Sequence, residues 1–207
     1  MRVLVTSDTH VGAARRPSLP AALLEHAESA DAILHAGDLT DPEILLELGA
    51  YAPVSAIRGN CDPLVPGLPE RRIVELAGTA IGMVHDPGPE SGRRARLRSW
   101  FPHCRVVVFG HTHLPVCEDE KGLLLLNPGS PTERRRAPFR SLALLAACSH
   151  KEFTADATGL AEDDLRGTLA AAVLCAQGGA DVLRLHDVGA IVPALRLVDA
   201  VRAEAGA

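Results

Sequence analysis

One pattern constrains this fold more than any other: an apolar run that stops at a metal-binding side chain. The clearest case is Val106-Val107-Val108-Phe109-Gly110-His111-Thr112-His113. If the backbone stays extended past Gly110, residues two apart face the same side, and both imidazoles point into one space at the end of a buried strand. Alone, two neighbouring loop histidines would explain that stretch as well. Four more strand ends supply partners of the same kind. Residues 2–6 lead into Ser7-Asp8-Thr9-His10 and residues 32–35 into Ala36-Gly37-Asp38. Residues 54–57 lead into Arg58-Gly59-Asn60-Cys61-Asp62, and residues 79–84 into His85-Asp86. A single aspartate at a strand end is more often a helix cap. Ends carrying D-x-H, G-D, G-N, H and G-H-x-H in turn are hard to read as caps. In open α/β sheets, ligands gather outside the carboxyl ends of strands, so these ends converge on one crevice.

The segments between them read as helices and loops. Ser18-Leu19-Pro20 opens a helix of roughly ten residues, with Pro20 in its first turn. Asp41 is placed to cap a second helix. Residues 63–69 are a proline-rich loop, 71–77 and 79–84 a hairpin around Gly78, and 90–100 a basic helix. Residues 139–147 form a last strand.

Composition narrows the class. The chain has 207 residues, 47% of them hydrophobic, enough for one well-buried domain and a smaller extra piece. Its net charge of -5 argues against a dedicated nucleic-acid binder, and 3% aromatics against a base-stacking platform. Its 5 cysteines are widely spaced without a CxxC, which suits a reducing, cytoplasmic setting rather than a disulfide framework. Neither a signal peptide nor a membrane span is expected.

The candidate ligands are Asp8, His10, Asp38, Asn60, His85, His111 and His113. They are too many for one four-coordinate ion and suit two ions sharing a bridging carboxylate. Nitrogen and oxygen donors without thiolate point to manganese, iron, nickel, cobalt or zinc rather than magnesium or calcium. Two such ions would clamp the attacking and leaving oxygens of a displacement at phosphorus and activate a water near neutral pH. The reaction class is metal-assisted phosphoester hydrolysis.

In order and spacing, D-x-H, G-D, G-N-C-D, H and G-H-T-H resemble the calcineurin-like metallophosphoesterases. The resemblance is strongest to the small bacterial and archaeal phosphodiesterases, which have Cys after the Asn. Leu126-Asn127-Pro128-Gly129-Ser130-Pro131 is similar to that subfamily too. The likeness spans about residues 1–148. It implies a four-layer α-β-β-α sandwich of two mixed sheets with flanking helices. It implies that Asp8, His10, Asp38 and His113 hold one ion and that Asp38, Asn60, His85 and His111 hold the other. Asp38 is then the bridge, and Asn60 also reaches the phosphate. Manganese comes first among the candidate metals. A metal-bridging hydroxide would attack a small phosphodiester.

Two positions depart from the wider pattern. Cys61 stands where most members carry a histidine that assists the leaving group. A thiol with an ordinary pKa of about 8.5 replaces imidazole poorly at neutral pH, which favours diesters or activated esters. Cys61 as a covalent nucleophile is a rival role, but no histidine lies beside it in sequence. Asp86 follows His85 where small members have glycine, and it would narrow or acidify the mouth of the site. Asp62 either orients a ligand or caps the turn into Pro63. His35 is a supporting or core residue; His26, His103 and His150 belong on the surface. Arg15, Arg16 and Arg134-Arg135-Arg136 are either a solvated face or, at Arg134, a rim that attracts phosphate.

Residues 149–163 read as a linker. Residues 164–207 read as an appended helix-strand-helix segment, with helices at 165–176 and 190–204. This piece resembles the carboxyl end of dihydropteroate synthase, and Arg184 and His186 match that family's anion-binding pair. A lone strand with two helices cannot close a barrel, so no synthase activity is expected. The reading is a dinuclear-metal phosphodiesterase. The alternatives are a phosphomonoesterase or nucleotidase, or a non-catalytic scaffold of the same fold. A homo-oligomer stays open, and neither a membrane nor a stable nucleic-acid partner is expected.

Overall fold

The computed structural model describes residues 1–12, 18–147 and 182–184. The chain forms two compact units, Val3–Ala143 on one hand and Met1–Arg2 with Leu144–Ala207 on the other. The larger unit begins with a parallel set of short strands, β1 (Arg2–Thr6), β2 (Ala32–His35) and β3 (Val54–Ala56). Val3 faces Ala32, and Ile33 faces Val54. Helices α1 (Ala21–Glu28) and α2 (Ile44–Gly49) supply the crossovers. Strand β2 is buried along its whole length, as expected of a parallel strand covered on both faces.

The second sheet is mixed, in the order β4-β5-β6-β8-β7. Strands β4 (Arg71–Leu76) and β5 (Thr79–Val84) form the expected hairpin, turning through Ala77 and Gly78, both at positive φ. Helix α3 (Arg93–Trp100) leads to β6 (Val106–Val108), which pairs in parallel with both β5 and β8 (Leu123–Asn127). Leu97, Phe101 and Cys104 pack there against Val107, Phe109, Leu123 and Leu125. The strand β7 (Val116–Glu120) pairs antiparallel with β8. Its mostly exposed Glu118-Asp119-Glu120 run is the charged kind of sequence that discourages further pairing at a sheet edge.

The α/β class with two sheets and few helices is as expected. Local boundaries differ. Pro20 stands just before α1 as its extended cap, because a proline ring fits the flanking position as readily as the first turn. Asp41 does not cap α2, which follows Glu43. Its Oδ1 accepts from the Glu43 N–H at 3.0 Å and shapes the turn before the helix. The β7–β8 hairpin was not anticipated, since Leu123-Leu124-Leu125-Leu126 has no alternation to mark a strand.

In the smaller unit, β10 (Val182–Arg184) pairs in parallel with β9 (Ala143–Ala147), Arg184 opposite Ala147. The expected linker 149–163, both tail helices, His186, His150, Arg15 and Arg16 lie outside the described residues. Among the described residues, no helix is long and apolar enough to cross a membrane.

Candidate metal centre

The strand ends meet, but not by the extended geometry expected of alternating residues. Asp8, His10, Asp38, His111 and His113 all have φ between 45° and 69°. Left-handed backbone at a non-glycine residue costs about 1–3 kcal/mol, and Asp and His tolerate it better than most. Cross-loop hydrogen bonds hold it: Asp8 N–H to Gly37 O at 2.9 Å, His10 N–H to Asp38 O at 3.0 Å, Gly110 N–H to His85 O at 3.0 Å. The chain therefore turns at each ligand, and His111 and His113 part company. His113 is buried beside Asp8, while half-buried His111 turns to Asn60.

Around the centre, His113 Nε2 lies 3.2 Å from Asp8 Oδ1 and 3.3 Å from His10 Nε2. Asp38 Oδ2 lies 3.4 Å from His85 Nε2 and 3.7 Å from His10 Nε2. His111 Nδ1 stands 2.9 Å from Asn60 Oδ1. The outward-facing ring atoms fix the tautomers. His113 Nδ1 meets the Glu133 carbonyl at 3.1 Å and His85 Nδ1 meets the Ala36 carbonyl at 2.8 Å. A carbonyl only accepts, so both Nδ1 atoms carry a hydrogen and both rings turn their Nε2 inward. Those nitrogens face carboxylate oxygens. Asp8 Oδ1 and His85 Nε2 are buried, and among the described residues no donor meets either in hydrogen-bond geometry.

Such a cluster of acceptors has a deficit of positive charge, and divalent cations would fill it. Three overlapping sets bring their donor atoms within 4.8 Å of one another: Asp8, His10 and His113; Asp8, Asp38 and His85; and His10, Asp38 and Cys61. The residues therefore fit a metal centre. With protons as the only cations, the charges lean the same way. Burial pushes the His85 imidazole down, but the carboxylates of Asp38 and Asp8 and the Ala36 carbonyl outweigh it and raise it above the ordinary histidine range. Burial pushes the Asp38 carboxyl up, but the His85 ring beside it and the Cys61 hydrogen bonds hold it below the usual carboxylate range. Asp8 is likewise lowered against its burial, by His113, His85 and Ser7. His10 is lowered because its burial outweighs the attraction of Asp38, Glu133 and Asp8.

Supporting residues hold these loops. Asp62 bonds the backbone around the candidate ligand Asp38. Buried at 8% exposure, its Oδ2 accepts from the N–H groups of Asp38 and Gly59 at 2.9 and 2.7 Å. Its Oδ1 accepts from Thr40 N–H at 2.7 Å. One carboxylate thus ties the loop after β2 to the loop after β3. His35 is fully buried; its Nδ1 accepts from Gly37 N–H and its Nε2 faces the Thr9 hydroxyl at 3.0 Å.

The sequence reading missed Asn127, Ser130 and Thr132 as supports. Asn127 Nδ2 donates to Gly110 O at 2.9 Å and lies 3.1 Å from the Thr112 hydroxyl. Ser130 Oγ donates to Asp8 O at 2.7 Å, and Thr132 Oγ1 to Thr9 O at 2.7 Å. Their signal was present in the Asn-Pro-Gly-Ser stretch, but nothing local shows what it would grip.

An open cleft of about 390 Å³ adjoins the centre, sharing Asn60 and His85 and lined further by Arg58, Glu70, Arg71 and Asp86. Asp86 is therefore at the mouth, its Oδ1 accepting from Gly88 N–H. Arg134 is exposed and donates to the Pro138 carbonyl at 3.4 Å, with no hydrogen bond or ion pair to the cluster. Arg184 ends β10 in the smaller unit.

Known proteins are similar to this chain. Residues 1–150 match the family described as the calcineurin-like phosphoesterase superfamily domain. A "Probable metallophosphoesterase" of Methanocaldococcus jannaschii is 40% identical over 149 residues, 70% of this chain and 76% of the relative. The structure is similar to wild-type Vps29 of Entamoeba histolytica complexed with zinc, with TM-score 0.60 and 26% identity over 70% of this chain and 84% of that one. It is also similar to a Thermotoga maritima protein solved by solution NMR, with TM-score 0.55 and 31% identity over 70% of this chain and 90% of that one. In fold, in the chemistry of its strand ends and in sequence, the chain belongs to the calcineurin-like phosphoesterase superfamily.

Proposed function

We propose that the protein is a phosphodiesterase working with two divalent transition-metal ions. Asp8, His10, Asp38 and His113 would hold one ion, and Asp38, Asn60, His85 and His111 the other. When bound, the ions supply positive charge to the phosphate oxygens and a strongly activated water. The observation that carries this reading is the inward pair of imidazole nitrogens, His113 Nε2 and His85 Nε2, set against buried carboxylate oxygens at 3.2 and 3.4 Å. Only a cation relieves that arrangement without a change of tautomer.

The chain's own groups prepare the rest. Carbonyls of Glu133 and Ala36 fix the two rings, and Asp62 fixes the backbone that presents Asp38. Asn60, exposed at the cleft, is placed to touch a phosphate oxygen. Cys61, also exposed, occupies the position of the leaving-group acid and assists weakly. Weak assistance favours diesters with good leaving groups over monoesters. Residues 1–148 would be the catalytic domain, 149–163 a linker, and 164–207 an appended segment without synthase activity.

The test compares bis(p-nitrophenyl) phosphate with p-nitrophenyl phosphate, with added manganese and with chelator. Faster hydrolysis of the diester, abolished by chelator and restored by manganese, is expected. Faster monoester turnover would make the protein a phosphomonoesterase. Inactivity toward both esters in a metal-loaded protein would favour the scaffold reading, which the likeness to Vps29 brings forward. Turnover indifferent to chelator would sink the metal mechanism.

A further inference from the structure

We infer that Cys61 gives this centre a thiolate donor, so that Cys61, His10 and Asp38 capture a thiophilic divalent cation such as zinc or cadmium in preference to manganese. The inference rests on the metal-centre reading above and adds a ligand to it. The Cys61 sulfur, a His10 ring nitrogen and an Asp38 carboxylate oxygen lie within 4.8 Å of one another. A tetrahedral zinc with bonds of about 2.0–2.3 Å wants donors about 3.3–3.8 Å apart. Closing the set asks for about 1 Å of movement, within the reach of a side-chain adjustment.

The cysteine is held in place for this. Its N–H donates to Asp38 Oδ1 at 2.8 Å, and Asn60 Nδ2 donates to its sulfur at 3.3 Å. Asp62 ties Gly59 and Asp38 together just behind it. The sulfur therefore sits beside the carboxylate offered as the bridge, on the exposed side of a centre in which Asp8, His10, Asp38, His85 and His113 are buried. The remaining described cysteines lack such company. Cys104 is packed beneath α3, and Cys117 is exposed on β7.

Ligand softness gives the arrangement its consequence. Thiolate strengthens binding of zinc and cadmium far more than of manganese, whose preferred donors are carboxylate, carbonyl and water. On capture the thiol proton goes to solvent and sulfur joins nitrogen and oxygen on the ion. Cys61 then determines which metal the centre retains, and it is masked from electrophiles while that metal is bound.

Cobalt(II) is the probe, since a cobalt–thiolate bond adds a near-ultraviolet charge-transfer band that nitrogen and oxygen donors do not give. The full chain is titrated with cobalt as wild type and as Cys61→Ser, with bound metal counted in each. A band in wild type that vanishes in Cys61→Ser, with cobalt still bound, supports the inference. Stoichiometric cobalt without the band overturns it while leaving the metal centre intact. No bound cobalt, manganese or zinc overturns both. Two further measurements must agree. Zinc should slow iodoacetamide alkylation of Cys61, read by peptide mass, at least about tenfold, and the zinc-over-manganese affinity ratio should fall about tenfold or more in Cys61→Ser. Alkylation and an affinity ratio that ignore zinc and the substitution also overturn it.

Discussion

Asp38 stands among Cys61, His85 and His10. One oxygen receives the Cys61 N–H, and the other faces the rings of His85 and His10. Asn at this position keeps the shape, removes the charge and turns one of those oxygens into a donor. Asp38→Asn should cut both metal content and kcat/KM for the diester by about 100-fold, the upper end of what disturbing a metal site's surroundings costs; full metal content and activity would rule out the bridge. His35 carries a different prediction. Burial holds its imidazole down at about 3, against 6.5 when exposed, with the opposing pull of Asp8 far smaller. The unfolded chain takes up that proton first as pH falls, so stability present above about 6.5 is lost progressively toward 3. The full loss is on the order of 5 kcal/mol. In denaturant midpoints measured across that window, His35→Gln should lose less stability than wild type, because glutamine does not titrate. An unchanged slope would assign the acid limb to other groups.

Among the elements, the loops after the strands matter more than the strands. Asp62 accepts N–H bonds from Asp38, Thr40 and Gly59. Hydrogen bonds to a buried charge are worth about 1.5–3 kcal/mol each and are not additive. Asp62→Ala should lower unfolding free energy by about 3–5 kcal/mol, by loosening two loops at once. Equilibrium denaturation reads the first effect and metal titration the accompanying loss of affinity. Gly110 gives a purely steric test. A Cβ there would stand 2.6 Å from Asp8 Oδ2 and 3.0 Å from Ser7 Cβ. Gly110→Ala should therefore displace the Asp8 carboxylate and weaken metal binding about tenfold, a loss that calorimetric titration would show. The sequence marked this glycine only as a break between an apolar strand and two histidines. Its reason, the close passage of the first strand's loop beneath the last, belongs to tertiary packing.

At the scale of the molecule, metal and fold should be linked. Ions that bind the assembled centre and not the unfolded chain stabilise it by about 2.7 kcal/mol at 100 times Kd. For a chain of this size that is about 5–10 °C in Tm. Manganese should raise the thermal midpoint and chelator should return it. A midpoint indifferent to saturating metal would count against the centre as a whole. The same linkage explains the left-handed backbone at Asp8, His10, Asp38, His111 and His113: strain of that kind persists where surrounding hydrogen bonds over-determine it, and ligand sites are where it collects.

The amino-acid order by itself marked the candidate side chains and the apolar runs they follow, because residue type and apolar runs are local properties. It determined the class of fold for the same reason, through strands alternating with helices. It could not show that the chain turns left-handed at the ligands, that Asp62 clamps two loops, or that Asn127, Ser130 and Thr132 grip the first and last of the histidine loops. Nor could it place the Leu123–Asn127 strand, whose unbroken apolar run has the signature of any buried segment. Those features depend mostly on hydrogen bonds between residues 15 to 124 positions apart, and only the folded chain brings such partners within 3 Å or so of each other.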